Sequence, residues 1–209
     1  WDEGWLENNP TYAKQESVVA KQKTLWEQIA VYFRDYDEHL LFAGTNEVHA
    51  NYGAPSAENI EVQQAYLQAF VDAVRATGGK NHYRNLVVQS YNTNIDYAVQ
   101  KLKISNDVVA GRIFVEVHYY DPWDFCGDAS SDIYLWGKPF SGLGKISTYG
   151  QEDYADKQFL KMKTNFVDKG YPVIMGEYGV LSRTSLPAIV LNNYLDSKDY
   201  YYQYVVKQA

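Results

Sequence analysis

The chain has 209 residues, of which 46% are hydrophobic and 22% are charged, and this balance argues against a disordered chain. It contains no apolar run near the roughly 20 residues that cross a bilayer, so no membrane span or membrane partner is predicted. The net charge of −7, without any block of Lys and Arg, argues against nucleic acid as a partner, because phosphates must be neutralised by clustered cations.

The first half of the chain alternates long amphipathic segments with short apolar runs, a pattern typical of an α/β fold. Apolar side chains at helical spacing predict a helix over residues 14–36, and a short buried strand follows at 40–43. Ser56 is a good N-cap for a second helix that runs to residue 77 before a Gly-Gly pair. The next apolar run, at 85–90, predicts a second strand.

The second half of the chain repeats this alternation. The predicted elements are a helix at 95–102, a strand at 112–117, a helix at 153–168, a strand at 172–176 and a helix at 185–209. Parallel strands joined by helices are buried on both faces, which explains why the strand runs are continuously apolar. Residues 119–152 lack either period and contain Pro, Gly and Trp, so they are predicted to form a long binding loop.

Polar residues directly after the predicted strands mark a candidate site, because ligands of parallel α/β folds gather at the carboxyl ends of strands. These residues are Asn46, Glu47, Tyr91, Asn92, Thr93, His118, Tyr119, Tyr120, Glu177 and Tyr178. A pair of carboxyl groups suits acetal hydrolysis, in which one protonates the leaving oxygen and the other attacks the anomeric carbon or activates water. The residue types therefore indicate a glycosidase, although a lone Glu at a strand end is more often solvated or salt-bridged.

Four segments carry a family resemblance. LLFAGTNEVH, FVEVHYYDPWDF and PVIMGEYG occur in this order, and WDEGWLENN lies at the amino end. The first three resemble the fourth, sixth and seventh strands of the TIM barrels of glycoside hydrolase family five. The fourth is similar to the loop after the third strand in the bacterial endoglucanase and xyloglucanase branch, subfamily four. The resemblance covers nearly the whole chain.

The resemblance implies a TIM (β/α)8 barrel of which this chain holds only strands four to seven and their helices. The family's strand-two Arg, its eighth-strand Trp and the His before the position of Trp1 have no counterpart here. Residues 1–209 are therefore predicted to be an incomplete catalytic domain, the central to C-terminal part of the barrel, taken from a longer enzyme. Unpaired barrel edges predict an isolated piece that aggregates or binds the missing barrel segments as a partner.

The resemblance also implies roles for five residues. Glu47 is the general acid and then the base, Glu177 is the nucleophile, and Asn46 binds the 2-hydroxyl of the sugar being cleaved. Tyr120 is expected to donate a hydrogen bond to the nucleophile, and His118 to position the substrate or the acid/base. Because such enzymes retain configuration, the two carboxyl groups are expected about 5 Å apart, against roughly 6.5 to 9.5 Å for an inverting pair. No metal and no cofactor is predicted.

The aromatic content of 16% suggests stacking on sugar rings. Trp123, Trp136 and Trp5 are candidates for substrate binding, with packing in the core as the alternative for each. His49 and the pair Asn92 and Thr93 are further candidates for lining subsites.

The predicted function is a retaining endo-β-1,4-glucanase that hydrolyses cellulose-like, mixed-linkage or xyloglucan polysaccharides. Three alternatives stay open at this point: a non-catalytic carbohydrate-binding barrel fragment, a β-mannanase or xylanase of the same fold, and a structural fragment that completes another half-barrel. A polysaccharide substrate predicts a secreted or cell-surface location.

Overall fold

The computed structural model describes residues 3–209, so Trp1 and Asp2 lie outside the described part of the chain. Its α-helices are α1 (Tyr12–Tyr32), α2 (Ala57–Ala76), α3 (Ile95–Lys101), α4 (Trp123–Cys126), α5 (Glu152–Asn165) and α6 (Ala188–Gln208). Its strands are β1 (Phe42–Ala43), β2 (Leu86–Gln89), β3 (Ile113–Tyr119) and β4 (Val173–Tyr178). No helix among the described residues is both long and apolar enough to cross a membrane.

The strands form one sheet in the order β1-β2-β3-β4, so each strand neighbours the next one along the chain. β1 pairs with β2 in parallel, and β2 pairs with β3 in parallel. Parallel neighbours in chain order, joined by helices, are the repeating unit of a (β/α) barrel. The predicted fold class is therefore confirmed for the four strands that the chain supplies.

The chain divides into two compact units. Unit 1 comprises Trp1–Val117 and Thr164–Ile174, and unit 2 comprises His118–Lys163 and Met175–Ala209. The predicted site residues are accordingly distributed between the two units.

The core of unit 1 lies under α2, which begins as predicted. The Ser56 side chain accepts a hydrogen bond from the Asn59 N–H, and the Asn59 side chain accepts one from the Ser56 N–H. These reciprocal bonds satisfy backbone donors that a helix N-terminus otherwise leaves open. Val62 and Tyr66 of α2 pack with Val48, which is fully buried and directly follows Glu47. The core therefore anchors the chain just beyond β1.

The helix α1 ends at Tyr32, earlier than the prediction of residue 36, because a distant arginine binds the following carbonyl groups. Arg84 is fully buried, and its guanidinium donates to the Asn81 side chain and to the main-chain carbonyls of Phe33, Tyr36, Asp37 and Leu40. These bonds satisfy carbonyl groups of the segment between α1 and β1 and so fix the turn that leads into β1.

Unit 2 contains the whole of the predicted long loop, which folds into short elements of its own. α4 and a single helical turn at Lys138–Phe140 lie within it, and Leu135 and Ile146 form an isolated β-bridge. Arg183 donates to the main-chain carbonyls of Asp124, Asp128 and Ser131. The loop is therefore held by tertiary hydrogen bonds that the local sequence pattern does not predict.

Candidate active site

Unit 1 presents Glu47 just beyond β1 in a left-handed backbone conformation, with φ 45°. Such a conformation costs a residue with a Cβ about 1 to 2 kcal/mol and persists only where neighbouring groups impose it. The Glu47 N–H donates to Gln89 Oε1 over 3.2 Å, and the Glu47 carbonyl accepts from His49 Nδ1 over 2.6 Å. The half-buried Glu47 is thus presented by a constrained backbone rather than by a flexible loop.

The segment after β2 adopts the same unusual backbone. Asn92 and Thr93 have φ of 51° and 48°. The Asn92 N–H donates to the Val48 carbonyl over 2.9 Å, which joins this segment to the Glu47 segment. Thr93 has no exposed surface, so the prediction that it lines a subsite is wrong. A buried β-branched residue at positive φ indicates a strained segment of the kind that clusters at active sites.

Asn46 and Trp5 both line one groove of about 350 Å³ in unit 1. The lining also includes aromatic and aliphatic side chains, among them Trp26 and Ile29. The ammonium group of Lys21 lies over the Trp5 ring, 4.2 Å from its centroid. The groove therefore combines an amide, suited to a sugar hydroxyl, with apolar surface suited to C–H groups.

Unit 2 presents Glu177, on β4, to His118 of β3 and to Tyr120, which directly follows that strand. Tyr120 Oη donates to Glu177 Oε2 over 3.0 Å, and His118 Nδ1 lies 3.6 Å from the same oxygen. The expected hydrogen bond from Tyr120 to Glu177 is therefore confirmed. The Glu177 side chain is 42% exposed while His118 is buried, so Glu177 remains accessible to a ligand although Tyr120 and His118 hold one of its oxygens.

Alternation along β3 separates Tyr119 from its neighbours, as the strand period predicts. The Tyr119 ring is buried and packs on Phe159 with 5.0 Å between centroids. Burial, with a smaller contribution from Asp121, raises the pKa of the Tyr119 phenol far above its usual range. Tyr119 therefore belongs to the core of unit 2 and takes no part in the candidate site.

The two tryptophans predicted in unit 2 differ in exposure. Trp123 is 56% exposed, and its ring lies so close to Gly127 that a Cβ there would collide with it. Trp136 is fully buried: its indole N–H donates to the Gly150 carbonyl over 2.7 Å, and the Tyr201 ring packs against it. The prediction of Trp136 as a substrate-binding residue is therefore wrong, because a buried ring offers no face to a sugar.

The sequence profile of the family described as cellulase, glycosyl hydrolase family 5, matches residues 1–209. The chain belongs to glycoside hydrolase family 5. The family match confirms the resemblance that the strand-end motifs indicated. The matched residues include both units.

Relatives within the family are endoglucanases and xyloglucanases. The chain is 45% identical over 212 residues to the xyloglucan-specific endo-β-1,4-glucanase of Bacteroides ovatus, with 99% of this chain and 42% of that protein covered. It is 41% identical over 192 residues to endoglucanase A of Paenibacillus barcinonensis, with 87% of this chain and 48% of that protein covered.

A solved structure with a bound oligosaccharide also matches. The Bacteroides ovatus family 5 xyloglucanase in complex with a XXXG heptasaccharide is 45% identical to this chain, with a TM-score of 0.95. The match covers 100% of this chain and 46% of that one. The chain thus spans less than half the length of these relatives.

Proposed function

We propose that the whole protein that carries this chain, hereafter the parent protein, is a retaining endo-β-1,4-glucanase. Its proposed substrates are cellulose-like, mixed-linkage or xyloglucan polysaccharides. The observation that carries the proposal is Glu177 at the end of β4, half-exposed and oriented by Tyr120. The relatives, a xyloglucan-specific endo-β-1,4-glucanase and an endoglucanase, support the choice of substrates.

The proposed reaction is a double displacement by two carboxyl groups. A Glu177 oxygen attacks the anomeric carbon, while Glu47 donates its proton to the leaving glycosidic oxygen. The glycosyl ester on Glu177 is then hydrolysed by a water molecule whose proton passes to the Glu47 carboxylate. Both groups return to their starting state, and the two inversions give net retention. The proposed separation of the two carboxyl groups is about 5 Å.

Three polar side chains support this chemistry in the proposal. Asn46 binds the 2-hydroxyl of the sugar being cleaved, a contact that strengthens as the ring develops oxocarbenium character. Tyr120 fixes the attacking carboxylate through the bond to Oε2. His118, buried beside the same oxygen, completes the polar wall on that side and positions the substrate.

A polysaccharide panel tests the proposed function. The parent protein is expected to hydrolyse carboxymethylcellulose, xyloglucan and lichenan, as measured by release of reducing ends, and to act weakly on mannan and xylan. A preference for mannan or xylan would replace the glucanase with the alternative specificity. Binding in affinity electrophoresis without hydrolysis would instead favour a non-catalytic carbohydrate-binding protein.

Trp123 and Trp5 are the proposed aromatic contacts to pyranose rings. The Trp123→Ala variant of the parent protein is expected to raise KM by up to about tenfold, since such contacts contribute about 0.5 to 1.5 kcal/mol. Its kcat should change little, because stacking at a distance from the cleaved bond stabilises ground and transition states alike. Initial-rate kinetics on xyloglucan measure both constants.

The matched control is Tyr32→Ala, which removes an aromatic ring that is 78% exposed on α1. It should leave both constants as in the wild type. An unchanged KM for Trp123→Ala would contradict the assignment of Trp123.

Two further proposals follow from the polysaccharide substrate and from the length of the relatives. A polymer outside the cell requires a secreted or cell-surface enzyme. The remaining barrel segments, which the relatives supply beyond the matched region, are the proposed partner of this chain.

A further inference from the structure

The chain from Glu47 to Asn51 is hydrogen-bonded by three other segments of unit 1. The His49 N–H donates to the Glu7 carbonyl over 2.8 Å. Tyr91 Oη accepts from the Ala50 N–H over 2.8 Å and donates to the Asn51 carbonyl over 3.1 Å. With the Val48 carbonyl bonded by the segment after β2, successive peptide groups have partners from distant parts of the sequence. The backbone conformation of such a segment is determined by tertiary contacts rather than by its local sequence.

Two side chains bond to the peptide groups of Glu47 itself. Gln89 Oε1 accepts from its N–H, and His49 Nδ1 donates to its carbonyl. We propose that Gln89 and His49 are positioning residues that hold Glu47 in its left-handed backbone conformation and thereby direct its carboxyl group. The inference rests on the proposed role of Glu47 as acid/base.

Gln89 is built into the sheet and has little freedom to adjust. It is the last residue of β2 and is 1% exposed. Its Oε1 accepts a second bond, from Thr45 Oγ1 over 3.3 Å, and its main-chain carbonyl accepts from Gln63 Nε2 over 3.0 Å. Because hydrogen bonds hold both its main chain and the end of its side chain, Gln89 fixes the Glu47 peptide relative to β2.

His49 is held in place by burial, by stacking of its ring and by its hydrogen bond to the Glu47 carbonyl. It is 7% exposed, and its ring stacks on Tyr52 with 4.1 Å between centroids and 28° between planes. A carbonyl oxygen only accepts hydrogen bonds, so Nδ1 must carry a proton in the contact with the Glu47 carbonyl. His49 thus combines a hydrogen bond from Nδ1 with a stacked ring, and the same Nδ1 lies 4.0 Å from Glu7 Oε1.

The backbone conformation matters because φ sets the direction of the Cα–Cβ bond of Glu47. If φ relaxed to the common negative range, the carboxyl group would leave a different side of the backbone. Misplacement of a catalytic group by about 1 Å costs on the order of 100-fold in rate. The loss should fall on kcat, since the substrate is bound by other residues.

Paired variants separate the hydrogen bond of His49 from its packing. His49→Phe keeps a stacked ring and removes the donor, whereas His49→Asn removes the ring and keeps an N–H near the position of Nδ1. In the parent protein, His49→Phe and Gln89→Met are each expected to lower kcat on xyloglucan by about 10- to 100-fold. KM should stay within about threefold, and His49→Asn should recover most of the lost kcat.

Asn81→Leu is the matched control. Asn81 is a buried amide of unit 1 that does not line the groove, and its Nδ2 donates to the Ala30 carbonyl over 2.6 Å rather than to Glu47. This variant should melt at a lower temperature than the wild type and keep its kcat. The comparison distinguishes a positioning role from a general loss of stability.

Crystal structures of the same variants supply a readout that does not require activity. His49→Phe and Gln89→Met should show Glu47 at negative φ, and His49→Asn should show it at positive φ. Unchanged kcat in His49→Phe and Gln89→Met, or a His49→Asn variant less active than His49→Phe, would overturn the inference.

Failure of the proposed function has a different signature. The wild-type parent protein would then hydrolyse none of the glucans, while φ of Glu47 in the variant structures still decides whether Gln89 and His49 hold the backbone. An unchanged positive φ in both His49→Phe and Gln89→Met overturns the inference whatever the activity.

Discussion

Glu177→Gln in the parent protein is expected to abolish glucan hydrolysis, with kcat lowered by about 10⁴-fold or more. Removal of the nucleophile from enzymes that use covalent catalysis has effects of this scale. The glutamine keeps the shape of the side chain and can still accept the hydrogen bond from Tyr120. What it lacks is a charged oxygen that can bond to the anomeric carbon.

Covalent labelling identifies the nucleophile independently of the rate. A 2-fluoro glycoside with an activated leaving group should form a stable ester on the wild type, and mass spectrometry of the digested protein should place the sugar on the peptide that contains Glu177. Glu177→Gln should take no label. Glu27→Gln, which changes an exposed carboxyl group on α1, is the matched control and should behave as the wild type. Labelling of any other residue would contradict the assignment.

Local sequence patterns predicted most of the helices and strands of this chain. The Ser56 cap and the apolar runs of β2 and β3 are encoded within a few residues, and the structure has them close to the predicted bounds. The predicted end of α1 was wrong, because the helix end depends on Arg84. This residue lies about fifty residues later in the chain and binds carbonyl groups after Tyr32. Periodicity carries no information about such a contact.

Some residues of the candidate site were likewise predictable from the sequence, and others were not. The positions of Glu47 just beyond β1 and of Glu177 near the carboxyl end of β4 follow from the rule for parallel sheets, and the resemblance implied their roles. Gln89 was not predicted to lie in the site, because it ends an apolar run that predicts only a strand. A polar residue at the carboxyl end of such a run nevertheless indicates a candidate site residue. Arg183 had no comparable signal in the sequence.

Trp136 shows why residue type alone misplaces binding residues. Its sequence context, a long loop rich in Gly and Trp, is shared with Trp123, yet one ring is exposed and the other lies under α6. The difference arises from a tertiary contact in which Ser197 of α6 accepts a hydrogen bond from the Trp136 N–H and donates one to its carbonyl. Burial of a loop residue is set by what the loop packs against.

Glu47→Gln should distinguish acid/base catalysis from nucleophilic catalysis through its dependence on the leaving group. On xyloglucan, the variant is expected to lose about 10²- to 10⁴-fold in kcat, because the leaving sugar oxygen must be protonated as the bond breaks. The phenolate of an aryl glycoside with an acidic phenol leaves without being protonated. With this substrate, formation of the ester on Glu177 should therefore proceed at close to the wild-type rate.

The second step of the same variant should then become slow, because no carboxylate takes the proton from the attacking water. Stopped-flow measurements with a dinitrophenyl glycoside should show a burst of phenol followed by slow turnover, whereas Glu177→Gln should show no burst. A small nucleophile that needs no deprotonation, such as azide, should accelerate the slow phase and yield a glycosyl azide of retained configuration. Equal losses on the aryl glycoside and on xyloglucan, with no burst, would contradict the acid/base role of Glu47.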